Sequence, residues 1–296
     1  PPRSTLFPYT TLFRSGQLQN PTWVNRHLEF THGYGIVMNF VNEVDSAGKP
    51  VLIVKDLPPQ MSVPLRIEKP QIYYGEKTNP YSLVRTSILE FDYPMGDANV
   101  RTTYEGTGGV PIGNLFRRIM FALRYRDSEI LFTNVITSES RVLMYRSIRE
   151  RLDKVAPFLL YDSDPYLAII DGRLVWIQDA YTATDRYPYS NPVSVTGTLQ
   201  RINYIRNSIK AVVDAYDGSI LLYISDGEDP MIRTWAGIFP ALFTPIEDAH
   251  PELCTQIRYP MAQFLIQSEI FRTYHMSDPN TFYNKEDVWQ IGRAHV

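Results

Sequence analysis

Two Asp-Gly dipeptides, Asp171-Gly172 and Asp217-Gly218, constrain the fold of this chain most. Each stands between β-rich runs: YLAII before RLVWIQ, and AVVDAY before SILLYI. Asp-Gly between such runs favours a tight hairpin, because Gly takes positive φ freely and Asp tolerates it. Two antiparallel hairpins are therefore expected in the middle of the structure. The first third also reads as strands broken by Pro and Gly. GIVMNFVNEV and VLIVKD are predicted to pair across DSAGKP, with short strands around RIEKPQIYYGE and YSLVRTSILEFDY.

Helical periodicity appears elsewhere. In NLFRRIMFALRYR, Leu115, Phe116, Ile119, Met120 and Leu123 share one face, with Arg117, Arg118 and Arg124 mainly off it. TSESRVLMYRSIRERLDKVAP predicts a helix with Val142, Tyr145, Ile148, Leu152 and Val155 at steps of three or four, stopped by Pro157. DPMIRTWAGIFPALF starts on an Asp-Pro cap, and YPMAQFLIQSEIFRTYHM predicts a longer amphipathic helix. Strands, then helices, then hairpins, then helices is the order of an α+β fold with mixed and antiparallel sheets and segregated helices. It is not the alternation of a doubly wound sheet. A sub-boundary is expected near 105–113, at the glycine-rich link EGTGGVPIG.

The two ends follow none of these patterns. PPRSTLFPYTTLFRS and IGRAHV resemble translated sequencing-adapter DNA, so residues 1–15 and 291–296 are read as artefacts and 16–290 as the natural segment. The ends hold Arg3, Arg14 and Arg293 and no acid. Without them 26 Lys and Arg face 32 Asp and Glu, a formal net charge of −6. That balance argues against nucleic acid as a partner, which needs a basic stripe. A lone Cys254 excludes an internal disulfide, and no Cys/His spacing suits zinc. No metal or cofactor is expected.

Several stretches invite a functional reading. In EGTGGVPIGNLFRR, Gly106, Gly108 and Gly109 precede a helix carrying Arg117 and Arg118. Free backbone N–H groups at a helix start could hold an anion. Pro111 breaks the GxGxxG pattern, and no P-loop Lys follows, so a plain strand-to-helix turn is the competing reading. His27 and His32 are too awkwardly spaced for a metal pair. SAGK lies in a turn rather than at the helix start a Ser-Lys nucleophile needs. Asp162 and Asp164, like the acids of DGEDP, suit turns and caps as well as acid/base work. Tyrosines beside Pro and Asp supply candidate recognition faces: Tyr73, Tyr74, Tyr161, Tyr166, Tyr187 and Tyr189.

A set of strings occurs in one order along 16–290, among them TWVNRHLEFTHGYG, VKDLPP, IYYGE, EFDYP, TTYEGTGGVPIG, SRVLMYRSIRERLDKVAPFLLYDSDPYL, DAYTATDRYPYS, INYIRNSIKAVVDAYDGS, DPMIRTWAGIFPALF and TYHMSDP. Together they make the chain resemble the bacterial uncharacterised protein family zero-one-eight-two of the UPF series. The resemblance implies a large integral-membrane protein with several N-terminal spanning helices and a long domain outside the membrane. On that implication residues 16–290 are a fragment of the extracytoplasmic domain. The membrane is then a partner through helices outside this chain. The resemblance implies no reaction, cofactor or catalytic residue. The expected role is binding or structural at the cell envelope, with an envelope ligand or protein as partner. The alternatives are an envelope hydrolase or transferase using Asp92, Glu105, Asp162 or Asp164, and an accessory domain of a transporter. An enzyme predicts converging carboxylates or a His–acid pair in a pocket; a recognition domain predicts exposed aromatics.

Overall fold

The computed structural model describes residues 4–8, 22–96, 98–194 and 201–289. It is α+β, as the order of elements predicts. A six-stranded sheet forms the centre. Its path runs Leu160–Tyr161, Arg173–Thr184, Tyr204–Asp214, Ile220–Ile224, Phe243–Pro245, with Tyr166–Ile170 hairpinned onto Arg173–Thr184. The neighbours are antiparallel except the last pair, which is parallel. Both Asp-Gly hairpins form. In the first, Asp171 and Gly172 both take positive φ; in the second, Gly218 does.

The sheet is buried on both faces. Trp176, Ala180, Ile209, Ala211 and Val213 join the main core. Val175, Ile177, Val212 and Tyr223 form a second cluster with Leu253. The helix Pro251–Gln256 (α5) supplies that leucine. This explains why RLVWIQDAY and SIKAVVD read as near-continuous apolar runs rather than alternating ones.

Smaller sheets surround the centre. Ile36–Val44 pairs with Pro50–Lys55, as the sequence predicts, and also with Ser4–Pro8. Ser4–Pro8 falls inside the segment read as adapter-derived; 1–3, 9–15 and 291–296 lie outside the described residues. Another sheet has the order Val110–Pro111, Arg141–Met144, Tyr81–Val84. Its strands come from before, within and after the glycine-rich link near 105–113.

Seven α-helices lie among the described residues. Leu115–Tyr125 (α1) and Glu129–Phe132 (α2) follow the link, then Ile148–Val155 (α3). Pro230–Ile238 (α4) starts on the expected cap: Asp229 accepts from the Met231 amide and Pro230 opens the first turn. Met261–Tyr274 (α6) and Pro279–Asn284 (α7) complete the set.

Three expectations need correction. The helix predicted across TSESRVLMYRSIRERLDKVAP is only its second half, because Val142 and Leu143 are wholly buried in sheet pairing with Tyr81–Val84. Positive φ at Tyr145 then turns the chain into α3. The apolar face of α1 points outward, and Phe121 and Ala122 are buried instead. The helix α6 is not amphipathic: its apolar residues lie all round, and none is buried.

Candidate functional site

The glycine-rich loop holds an anion, but the anion belongs to the chain. Asp217, in the second Asp-Gly hairpin, accepts from the Thr107 amide (3.1 Å) and the Tyr104 hydroxyl (3.1 Å). The Gly108 amide donates to the Tyr104 hydroxyl, and the Glu105 amide to the Tyr216 hydroxyl. The loop carbonyls are gripped by two arginines. Arg85 donates to Tyr104, Glu105 and Gly106; Arg141 donates to Thr107, Gly108 and Gly109. A Cβ at Gly106 would collide with the Asp217 carboxylate, and one at Gly108 would lie 2.7 Å from the Tyr104 hydroxyl. The glycines are there for close approach. Arg117 and Arg118 do not join them: their guanidiniums donate to the Pro111 and Ile136 carbonyls.

The tyrosines divide in two. Tyr73, Tyr74, Tyr161 and Tyr166 are buried, and of these Tyr161 lines a cleft beneath α6. Tyr73, Tyr104 and Tyr216 pack ring against ring, 4.7–5.2 Å between centroids. Tyr187 and Tyr189 are exposed, and Tyr187 stacks on Tyr204.

A His–acid pair does converge. His32 Nε2 lies 3.2 Å from Asp92 Oδ1, and Nδ1 lies 3.0 Å from the Thr31 hydroxyl, which bonds Glu90. Glu90 also accepts from the Tyr73 hydroxyl and the Tyr104 amide. Burial would lower the His32 pKa; the hydrogen bonds and charges of Asp92 and Glu90 outweigh it and raise it. The imidazole is fully enclosed, so this network is built for the interior. His27 is elsewhere, stacked on Tyr81 at 4.1 Å. Among the described residues no group of three or more His, Cys, Asp or Glu could hold a metal ion.

A cleft lies beneath α6. It encloses about 450 Å³ between the sheet edge and the helix. Leu160, Val193, Met261, Leu265 and Ile266 make it largely apolar, and Ser163, Ser194 and Glu269 add polar edges. Asp162 forms its floor. One carboxylate oxygen accepts from the Tyr181 hydroxyl and, at 3.0 Å, from the Ala262 amide; the other accepts from the Ser163 amide at 2.6 Å. The start of α6 has no side-chain cap of its own, since Pro260 stands there. Asp162 supplies that cap from 100 residues away. Burial, then the Asp162 hydrogen bond, drives the Tyr181 phenol far above its ordinary range.

A second, open cleft of about 350 Å³ lies at the start of α6 and includes Lys210. Lys210 is buried and ion-paired with Asp179. Burial raises the Asp179 pKa, against the charge and hydrogen bond of Lys210. The sequence reading missed this pair, as it missed Arg146 and Tyr181. The available signal was a charge inside an apolar strand run, Asp179 in VWIQDAY and Lys210 in SIKAVV. Three of the four carboxylates named as candidate acids serve separate networks: Asp92 with His32, Glu105 with Lys69, Asp162 with Tyr181.

Comparison with known proteins places the chain. The family described as "Uncharacterised protein family (UPF0182)" matches residues 14–295, and the chain belongs to it. A UPF0182 protein of Sulfurovum sp. (strain NBC37-1) is 50% identical over 271 residues, 91% of this chain and 30% of its own length. One of Pelotomaculum thermopropionicum is 48% identical over 273 residues, covering 92% and 29% respectively. One of Methanospirillum hungatei JF-1 is 50% identical over 276 residues, covering 92% and 30%. The chain thus spans about 30% of the length of the curated relatives it matches. No solved structure matches it.

Proposed function

We propose that this chain is a ligand-binding part of a membrane-anchored envelope protein, on the extracytoplasmic side, and that the cleft beneath α6 takes the ligand. The observation that carries the reading is the cleft floor. Asp162 lies in a largely apolar pocket with both oxygens engaged by Tyr181, Ala262 and Ser163. A carboxylate so engaged shapes a cavity and fixes a helix; it is poorly placed to take a proton from a substrate. A volume of about 450 Å³ with apolar walls suits the apolar body of a small ligand, its polar end toward Ser163, Ser194 and Glu269.

The membrane setting is supported by what the chain leaves uncovered. Along α6 apolar residues alternate with Gln263, Gln267, Glu269 and Arg272 on every side, and Phe264, Ile270 and Phe271 stay exposed, which leaves apolar surface for a further part of the protein to cover. Most of the relatives' length lies outside the matched region. No helix among the described residues is long and apolar enough to cross a membrane, so a spanning helix would come from that additional length. Carboxylate catalysis is the weaker reading, because Asp92, Glu105 and Asp162 are committed to different partners.

Titration calorimetry with straight-chain alcohols tests the cleft. Saturable binding is expected, tightening with chain length until the cavity is full and lost in Ala262→Phe and Ile266→Glu. If no alcohol saturates, or both variants bind like the parent, the cleft is not a ligand site. Carbonate extraction of the full-length protein tests the anchoring: release into the soluble fraction would end the membrane part of the reading.

A further inference from the structure

The face of α1 that the sequence marks as apolar is outside. Leu115, Phe116, Ile119, Met120 and Leu123 are between 39% and 71% exposed, and Phe132 on the neighbouring α2 is 82% exposed. The inward side is fully committed. Phe121 and Ala122 are buried, Tyr125 stacks on Tyr81 at 4.4 Å, and Arg118 donates to the Ile136 carbonyl. The helix cannot turn over to hide its stripe without breaking these contacts. So large a contiguous apolar surface marks an interaction site rather than ordinary surface scatter.

The charges around the stripe narrow the occupant. Leu115–Arg126 carries four arginines and no acid, against one exposed acid, Glu129, on the neighbouring α2. Three of them, Arg117, Arg124 and Arg126, are exposed. Arg117 and Arg124 donate to the Pro111 carbonyl and the Tyr145 hydroxyl rather than to carboxylates, so their charge is not neutralised there. A two-fold contact with a second copy would bring these arginines toward one another, which costs energy. An apolar stripe edged by arginines matches one surface well: acyl chains beneath phosphate headgroups.

We propose that α1, with Phe132 beside it, is an interfacial docking surface for an anionic lipid bilayer. The helix lies in the headgroup plane, Leu115, Phe116, Ile119, Met120 and Leu123 enter the acyl boundary, and Arg117, Arg124 and Arg126 meet lipid phosphates. This surface is separate from the cleft under α6, so each can fail alone: one is read by lipid binding, the other by alcohol binding.

Co-sedimentation with vesicles tests it. The chain is expected to bind phosphatidylcholine vesicles containing phosphatidylglycerol, and to bind pure phosphatidylcholine on the order of tenfold more weakly, since apolar insertion and electrostatic attraction act together. Phe116→Asp and Leu123→Asp should each lower binding about tenfold with the circular dichroism spectrum unchanged, because both side chains are exposed. Arg117→Gln with Arg124→Gln should reduce binding to the level of neutral vesicles. Absence of binding, or equal binding by the aspartate variants, overturns the proposal. In the full-length protein, Phe116→Cys in a background without other cysteines would carry a nitrobenzoxadiazole label. Quenching by spin-labelled lipid is the expected result. A blue-shifted label that lipid does not quench would mean that another protein segment covers α1, and a dimer broken by Phe116→Asp would mean a second copy does; either result sinks the proposal.

Discussion

His32 shows how a residue's surroundings set its charge. Its ring is sealed among Thr31, Glu90 and Asp92, and the two acids raise its pKa although burial opposes them. A raised folded-state pKa means the protonated ring favours folding. That stabilisation is complete below the unfolded value of about 6.5 and fades as pH rises through the folded value. Urea midpoints should therefore fall with rising pH above about 6.5 in the parent. His32→Gln should remove that part of the slope. An unchanged slope in the variant would mean that His32 is not protonated in the folded protein. Gly106 teaches a related lesson: a Cβ there would meet the carboxylate of Asp217, 111 residues later, as well as the ring of nearby Tyr104.

At the scale of elements, α6 depends on a distant cap. Pro260 offers no side-chain acceptor to the first turn, and Asp162 replaces it by accepting from the Ala262 amide while held by Tyr181. Replacing a capping carboxylate commonly costs about 1–2 kcal/mol. Asp162→Ala should therefore loosen α6 more than the sheet. Hydrogen exchange should quicken across 261–274 and stay slow in Arg173–Thr184 and Tyr204–Asp214. Uniform quickening would show that Asp162 supports the whole sheet instead. The α1 stripe belongs to this scale too. Periodicity identifies an apolar face, yet the packing of Phe121, Ala122 and Tyr125 decides which face goes in.

The whole molecule is tied together by buried polar groups as well as by its cores. Arg146 is the clearest tie. Its guanidinium donates to the Tyr73 carbonyl (2.8 Å), the Ser82 hydroxyl (2.5 Å) and the Thr31 carbonyl. These partners stand near the His32 network, the tyrosine cluster and the Tyr81–Val84 strand. Burial pulls the Arg146 pKa down to about 10, still far enough up to stay charged at neutral pH. Arg146→Met would strand three buried acceptors, a loss on the order of 3 kcal/mol or more. Arg146→Lys should recover less than half, since an ammonium cannot span the three acceptors as a planar fork does. Denaturant unfolding checks both; a fully rescued Lys variant would reduce the role of Arg146 to charge alone.

The sequence by itself determined the local and the historical facts. Asp-Gly turns, the Asp229-Pro230 cap, the pairing across DSAGKP and the α+β order are written in steric preferences that act over a few residues. Family membership is written in many motifs in one order, and the match over 14–295 bears it out. Only the tertiary structure decided what each side chain meets. It buried four of the six tyrosines, filled the glycine-rich loop with Asp217, joined His32 to Asp92, and turned the α1 stripe outward. The physical reason is range. Turn and cap preferences are fixed by neighbours along the chain, whereas burial and hydrogen-bond partnership are fixed by groups that come together only when sheets and helices pack.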